Sequence, residues 1–244
     1  WRNLQNIKKK YYSFEFHINF GDIRKHKYNK KKYKINWKFK KEMKIVIYGI
    51  KSSAKIIAEI LSENSNYEIV GFIGNKQEKK KFKRKKIFLG LPFLGDEELI
   101  PKLILNGIDG FIVGVGNVHL KEEIYYKFEK KGLKPVSAIS KFAKLYSGTV
   151  IGKGATIGNG CIISSNVRIG NNTFVGTNAV IELGVTISNN CKIGSNVFIG
   201  ADSQIEKNVN VGVASTILTN CKIGKNNFLK PKILVSKNIK PKLR

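Results

Sequence analysis

The stretch IGKGATIGNGCIISSNVRIGNNTFVG, Ile151 to Gly176, carries an aliphatic residue at every sixth position: Ile151, Ile157, Ile163, Ile169 and Val175. The register runs unbroken from Leu145 to Val235, where all 16 positions at this spacing are Leu, Ile or Val. The next residue is often glycine (152, 158, 170, 176, 194, 200, 212, 224). The fifth place of each hexad is mostly small or β-branched, as at Thr149, Ala155, Val167, Thr173, Ala179, Ser203 and Ser215. A strict six-residue period of this kind is the signature of a left-handed parallel β-helix, in which three hexads make one triangular coil. Each aliphatic residue is expected to point inward and stack on its counterpart 18 residues later, with Gly and Asn relieving the backbone at the corners. Cys161, Cys191 and Cys221 all occupy the fifth place, 30 residues apart and therefore on different faces. They read as small core residues, not as metal ligands, nucleophiles or a disulfide framework.

Upstream, from Met43 to Lys144, short apolar runs alternate with amphipathic stretches. The pattern predicts strand Lys44–Tyr48, helix Ser53–Ser62, strand Tyr67–Ile73, helix Asp96–Asn106, strand Gly110–Val115 and helix Val118–Lys131, with the basic run Lys76 to Lys86 as a solvated loop. Such alternation implies a small parallel sheet with helices on both faces, a Rossmann-like α/β domain. The expected organisation is residues 1–42 as a basic leader, 43–144 as a sugar-nucleotide-binding domain and 145–244 as a β-helix acyltransferase domain.

The chain of 244 residues has 45 Lys and Arg against 17 Asp and Glu, a formal charge of +28. Eighteen of those units lie in residues 1–42 and 76–86. With 42% hydrophobic residues the sequence can bury a core, which argues against a wholly disordered polycation. Only five of the 45 cations are Arg, the side chain favoured for specific base and phosphate recognition, so a specific nucleic-acid partner is not expected. The sole methionine, Met43, stands just before the first clear strand, and the natural start is expected there. On that view residues 1–42 are upstream or unrelated sequence; the alternative is a basic arm with aromatics that binds RNA or an anionic surface. No membrane span or secretory signal is evident, and a cytoplasmic location is expected.

A small α/β domain running directly into hexapeptide repeats resembles the sialic acid and bacillosamine type of sugar O- and N-acetyltransferases, the NeuD and PglD family. The matching segments are YGIKSSAKIIAEIL (Tyr48–Leu61), GLPFLGDEEL (Gly90–Leu99, a short loop before the second helix in the family), VGVGNVHLKEEI (Val113–Ile124) and GTNAVIE (Gly176–Glu182). The resemblance covers Lys44 to about Val235. It implies acetyl transfer from acetyl-CoA to an amine or hydroxyl of a free or nucleotide-linked sugar, a homotrimer formed through the β-helix, the sugar nucleotide in the N-terminal domain and no metal.

The turn Gly49, Lys51, Ser52, Ser53 and the turn Gly116, Asn117 each follow a strand and open a helix, an arrangement whose free N–H groups suit a phosphate. Both are candidates for substrate binding in one crevice. GIKSSA lacks the later glycines of a dinucleotide fingerprint, and Gly74 and Asn75 stand where such a site has an acidic residue, so NAD is not expected.

The family motif Glu-His-Asp or Glu-His-Glu supplies the base that acyl transfer needs. Here its positions are Glu182, Leu183 and Gly184, so base and acidic partner are both absent. The family's second histidine, near the acyl donor, matches Lys192, which is the candidate acetyl-CoA contact. Of the three histidines, His17 and His26 precede Met43 and His119 opens a helix. Glu182 is the remaining candidate catalytic group, and only with a raised pKa. Two functions stay open: an acetyltransferase with an altered active site, or a catalytically silent, trimeric sugar-nucleotide-binding or scaffold relative.

Overall fold

The computed structural model describes residues 42–63, 66–82 and 85–243. The leader expected over residues 1–42 lies, Glu42 apart, outside them. Six strands form the N-terminal sheet: β1 (Met43–Tyr48), β2 (Tyr67–Gly74), β3 (Lys86–Phe88), β4 (Leu91–Asp96), β5 (Gly110–Val113) and β6 (Lys134–Pro135), in the order β3-β4-β2-β1-β5-β6. All neighbours are parallel except β3 and β4. Four helices accompany them: α1 (Ser52–Ser62), α2 (Lys76–Phe82), α3 (Ile100–Leu105) and α4 (Val118–Lys130).

Because successive side chains on a strand point to opposite faces, β1 serves two cores. Ile45 and Ile47 pack with Ala54, Ile57, Ala58 and Leu61 of α1. Val46 and Tyr48 pack with Ile124, Tyr125 and Phe128 of α4. Phe128 stands edge-on to Tyr48 and Phe111, with ring centroids 5.7 and 5.3 Å away, a geometry that adds about 1 kcal/mol per pair to the burial of the rings.

Three features differ from the expectation. The basic run is not all loop: Lys76–Phe82 is helical, held by a reciprocal capping box in which Asn75 Oδ1 accepts from Glu78 N–H (2.9 Å) and Glu78 Oε2 accepts from Asn75 N–H (3.0 Å). The segment Gly90–Leu99, expected as a loop, contains β4, which places Phe93 in the core beside β2. The helix expected over Asp96–Asn106 begins as a 3₁₀ turn, Glu97–Leu99, capped by Asp96, and becomes α-helical only at Ile100, where Pro101 fits the first turn.

From Ala138 the chain winds into a three-sided parallel solenoid whose two-residue strands pair 18 residues apart, as Ile163 with Ile181 and Ile181 with Ile199. Its first face holds Thr156, Phe174, Lys192, Asn210 and Phe228 at outward positions; the second Ile162, Val180, Phe198, Thr216 and Leu234; the third Val150, Arg168, Thr186, Gln204 and Lys222. The inward aliphatics form one continuous core with all three cysteines, which are free and buried. Burial pushes the Cys161 thiol up and the Cys191 thiol up to about 12, so neither is a thiolate near neutrality.

The hexad glycines and asparagines do two kinds of work, of which relief of the left-handed corners is the one expected. Left-handed backbone recurs at the fourth place without a break from Gly148 to Lys232, filled mostly by Gly or Asn, for example Asn166 (φ 59°), Asn178 (58°) and Gly184 (69°). The second-place glycines are instead sites of close approach between coils. A Cβ on Gly158 would lie 2.7 Å from the backbone nitrogen of Thr177 in the next coil.

Candidate functional site

The chain leaves β1 on one side for β2 and returns on the other side of β1 as β5, so the strand order reverses between β1 and β5. In open α/β sheets the crevice beyond the carboxyl ends of such strands is where ligands bind. Here it is a cavity of about 160 Å³ whose lining includes Gly49, Lys51, Gly116 and Asn117 with Asn75, Glu78 and Leu120. The two turns interlock: Gly49 has φ 112°, and a Cβ on it would lie 2.6 Å from the Gly114 carbonyl oxygen. A Cβ on Gly114 would in turn lie 2.5 Å from the Ala54 Cα, so helix α1 packs directly on the end of β5.

The sequence-derived site residues do not all play the expected part. Ser52 and Ser53 start α1 and are not among the residues lining the cavity. The α1 N-terminus has no side-chain cap and no acidic residue in its first turn, which leaves its leading N–H groups open to an anion. The Asn117 turn is different. Its side-chain oxygen accepts from the N–H groups of His119 and Leu120, each at 3.0 Å, so the donors expected to meet a phosphate there are already taken. Asn117→Ala is expected to cost about 1 kcal/mol of stability, read from a urea unfolding midpoint, because it removes this N-cap.

Glu78 is a further lining residue, not expected from the sequence. The signal was present as Asn75 followed three residues later by Glu78, but it lay inside a run of lysines. A second cavity, of about 590 Å³, shares Asn75 and continues along the ends of β2 and β4 between Gln77, Asp96, Glu97, Glu98, Lys127 and Lys131. Ion pairs hold its walls: Lys79 with Asp96 at 3.1 Å, Lys76 with Glu98 at 2.8 Å, and Lys127 with Glu97, which also accepts from the Tyr48 hydroxyl.

Lys192, expected beside the acyl donor, sits on the first solenoid face with its Nζ 3.3 Å from where a Cβ of Gly116 would lie. The fold therefore joins two candidate residues that the sequence left in separate domains. Helix α4 docks along the neighbouring corner of the solenoid. Lys121 is fully buried there, its Nζ donating to the carbonyl of Asn172, and Glu122 meets Asn208 and Lys207. Burial pushes the Lys121 amine down to about 7.

Glu182, Leu183 and Gly184 form the corner between the second and third faces. In a three-sided coil that corner lies opposite the first face, so one chain does not bring it to its own Lys192. Leu183 is 49% exposed. Gly184 has left-handed backbone, and the Asp202 carboxylate from the next coil fills the space that a Cβ there would need. Among the described residues no group of His, Cys, Asp and Glu is arranged to hold a metal ion, and no helix is long and apolar enough to cross a membrane.

Residues 44–128 match the family model of the PglD N-terminal domain. Residues 148–183 match the bacterial transferase hexapeptide repeats and 166–203 the hexapeptide repeat of succinyl-transferase. The chain thus joins a PglD-type N-terminal domain to a left-handed hexapeptide β-helix, as its resemblance to the NeuD and PglD acetyltransferases implies. It is similar in fold to a histidine variant of perosamine N-acetyltransferase from Caulobacter crescentus in complex with CoA and GDP-perosamine, at 20% identity and TM-score 0.75 over 82% of this chain and 91% of that one. It is also similar to the acetyltransferase domain of PglB from Neisseria gonorrhoeae in complex with acetyl coenzyme A, at 18% identity and TM-score 0.56 over 78% and 94%. A third neighbour is WeeI from Acinetobacter baumannii, at 16% identity and TM-score 0.50 over 80% and 94%. No curated protein sequence matches the chain.

Proposed function

We propose that the chain is an acetyl-CoA-dependent acetyltransferase that acts on an amine of a nucleotide-linked sugar in surface glycan assembly and works as a homotrimer. The observation that carries this reading is the crevice at the strand reversal, which has an uncapped helix N-terminus on one side and opens against the solenoid on the other. Open N–H groups, the helix dipole and Lys51 suit the phosphates of a sugar nucleotide. Neighbours of the same fold bind CoA with GDP-perosamine, or acetyl coenzyme A, and these support the same pair of ligand classes here.

The acceptor chemistry follows from what stands at the corner Glu182–Gly184. A hydroxyl must give up its proton as it attacks a thioester and needs a positioned base. An amine attacks as the free base; the proton it sheds afterwards passes through solvent to the departing thiolate. With Leu183 at the family's base position, the amine is the acceptor that fits.

Trimer formation has its own support. The second face presents Ile162 (42% exposed), Phe198 (37%) and Leu234 (64%) in one row, beside Leu183 and Leu218 at the next corner. An apolar strip of this length on a soluble solenoid suits packing against further copies. Such packing would also bring the Glu182 corner of one copy toward the crevice of another, which a single chain does not do.

A second reading, a silent nucleotide-binding relative, is favoured by one observation, the pairing of Leu183 with Gly184. A thiol-release assay with acetyl-CoA and a panel of UDP-, GDP-, dTDP- and CMP-linked sugars separates the two. Release is expected with a 4-amino or other amino sugar nucleotide and not with its hydroxyl counterpart. No release across the panel, with nucleotide binding retained, establishes the silent relative.

A further inference from the structure

Lys192 lies near enough to the buried Lys121 for its charge to disfavour protonation of that amine. Among the described residues neither has a carboxylate partner, and the Lys192 side chain makes no hydrogen bond or ion pair. Ten other lysines of the described residues are ion-paired or set over aromatic rings, as Lys79 is with Asp96 and Lys141 with Glu63 and Phe142. A half-buried ammonium beside a second amine, with no counter-ion in reach, is a costly arrangement unless an anion completes it. The place where that anion would sit is fixed by Gly116. This residue lines the crevice, lacks a side chain that would separate Lys192 from it, and lies in the turn facing Gly49 and Lys51. The one carboxylate in the lining, Glu78, is turned to the N–H of Asn75.

We infer that Lys192 is a phosphate-holding residue of the crevice, so that a diphosphate is clamped between the α/β domain at Gly49–Lys51 and the solenoid at Lys192. This rests on the proposed sugar-nucleotide reading and deepens it. It moves Lys192 from the acyl donor, where the resemblance alone put it, to the acceptor. The same chemistry, a diphosphate ester, also occurs in CoA, so the test must tell the two sources apart. A clamp of this kind has a functional consequence. The nucleotide would fix the α/β domain against the solenoid and set the distance from the diphosphate to the reacting amine.

The test is calorimetric titration of the full chain and of Lys192→Gln and Lys192→Arg with GDP, UDP, inorganic pyrophosphate and CoA. Lys192→Gln is expected to weaken the preferred nucleoside diphosphate and pyrophosphate about tenfold or more, the loss of one charge-assisted hydrogen bond, with CoA affinity unchanged. Lys192→Arg is expected to restore most of the loss. Weakened CoA binding with unchanged nucleoside diphosphate binding would return Lys192 to the acyl donor and overturn the inference. Unchanged binding of every probe would overturn it as well, leaving nucleotide binding itself intact. If the unsubstituted chain binds neither GDP, UDP nor pyrophosphate, the underlying sugar-nucleotide reading fails, and the inference fails with it.

Discussion

Lys121→Met is expected to stabilise the protein at pH 7 by about 1 kcal/mol or more, the lower end of the range found when buried ion pairs give way to apolar side chains of similar volume. Lys121 lies on the face of α4 that also carries Val118, Ile124, Tyr125 and Phe128, and that face is buried against the sheet and the solenoid corner. Its amine has one acceptor, the Asn172 carbonyl, where an ammonium could use three. Burial therefore pulls its pKa down from the ordinary 10.5 to about 7. Between those two values the unfolded chain holds a proton on Lys121 that the folded chain has given up, so stability rises with pH. The window for measurement is pH 7 to about 7.5, a unit below the ordinary thiol pKa of about 8.5 at which unfolded-state thiols ionise. That upper limit matters because the buried Cys161 and Cys191 have raised pKa values, which act in the opposite direction at higher pH. Urea midpoints across this window are expected to climb for the unsubstituted chain and to climb less steeply for Lys121→Met. A methionine variant that is less stable, with an unchanged slope, would show that the bond to Asn172 outweighs the burial of the amine.

Lys121 also shows where the sequence stops being informative. The spacing 118, 121, 124, 125, 128 marks one helical face, and the lysine lies on it, yet lysines at helical spacing usually face water. Only the docking of α4 on a second body, the solenoid corner at Asn172, makes the position interior. The solenoid itself was legible residue by residue, because each coil repeats the same environment and the inward position admits only Leu, Ile or Val. The jobs of its glycines were not legible. A Gly at the second place and a Gly at the fourth look alike in sequence, and only the backbone separates close coil contact at Gly158 from left-handed φ at Gly184.

In the α/β domain, β1, β2, β5 and α4 followed from apolar pattern. Helix α2 did not, because it buries no residue and is set by its cap, Asn75 with Glu78. Strand β4 was hidden for a related reason. Its one buried apolar side chain is Phe93, with Leu91 and Leu94 only partly buried beside Pro92 and Gly95, too little for an alternating signal. The site was half legible. Gly49, Lys51, Gly116 and Asn117 were found as two turns, but their meeting in one cavity depends on the strand order, and the approach of Lys192 depends on how the two bodies dock.

Leu183→His is expected to raise acetyl transfer to a hydroxyl-bearing sugar nucleotide by about 10²-fold or more, the usual contribution of a positioned general base. The gain with the amino sugar is expected to be smaller, since the amine does not wait for a base. Leu183 is half exposed at an outward corner, so imidazole replaces it without filling or emptying the core. Gly184 is best left in place: its φ of 69° suits glycine, and a side chain there would collide with the Asp202 carboxylate. That same carboxylate sits over the position where the family motif carries its acidic residue, so the corner already holds a group able to orient the imidazole. The pH dependence makes the role specific. With histidine as base, the rate on the hydroxyl acceptor is expected to rise through a pKa near 6.5, shifted upward by the neighbouring carboxylate. Adding Asp202→Asn to Leu183→His is expected to remove that upward shift and part of the gain. A Leu183→His protein that transfers no faster to any acceptor, while still binding acetyl-CoA and nucleotide, would place the chemistry away from this corner.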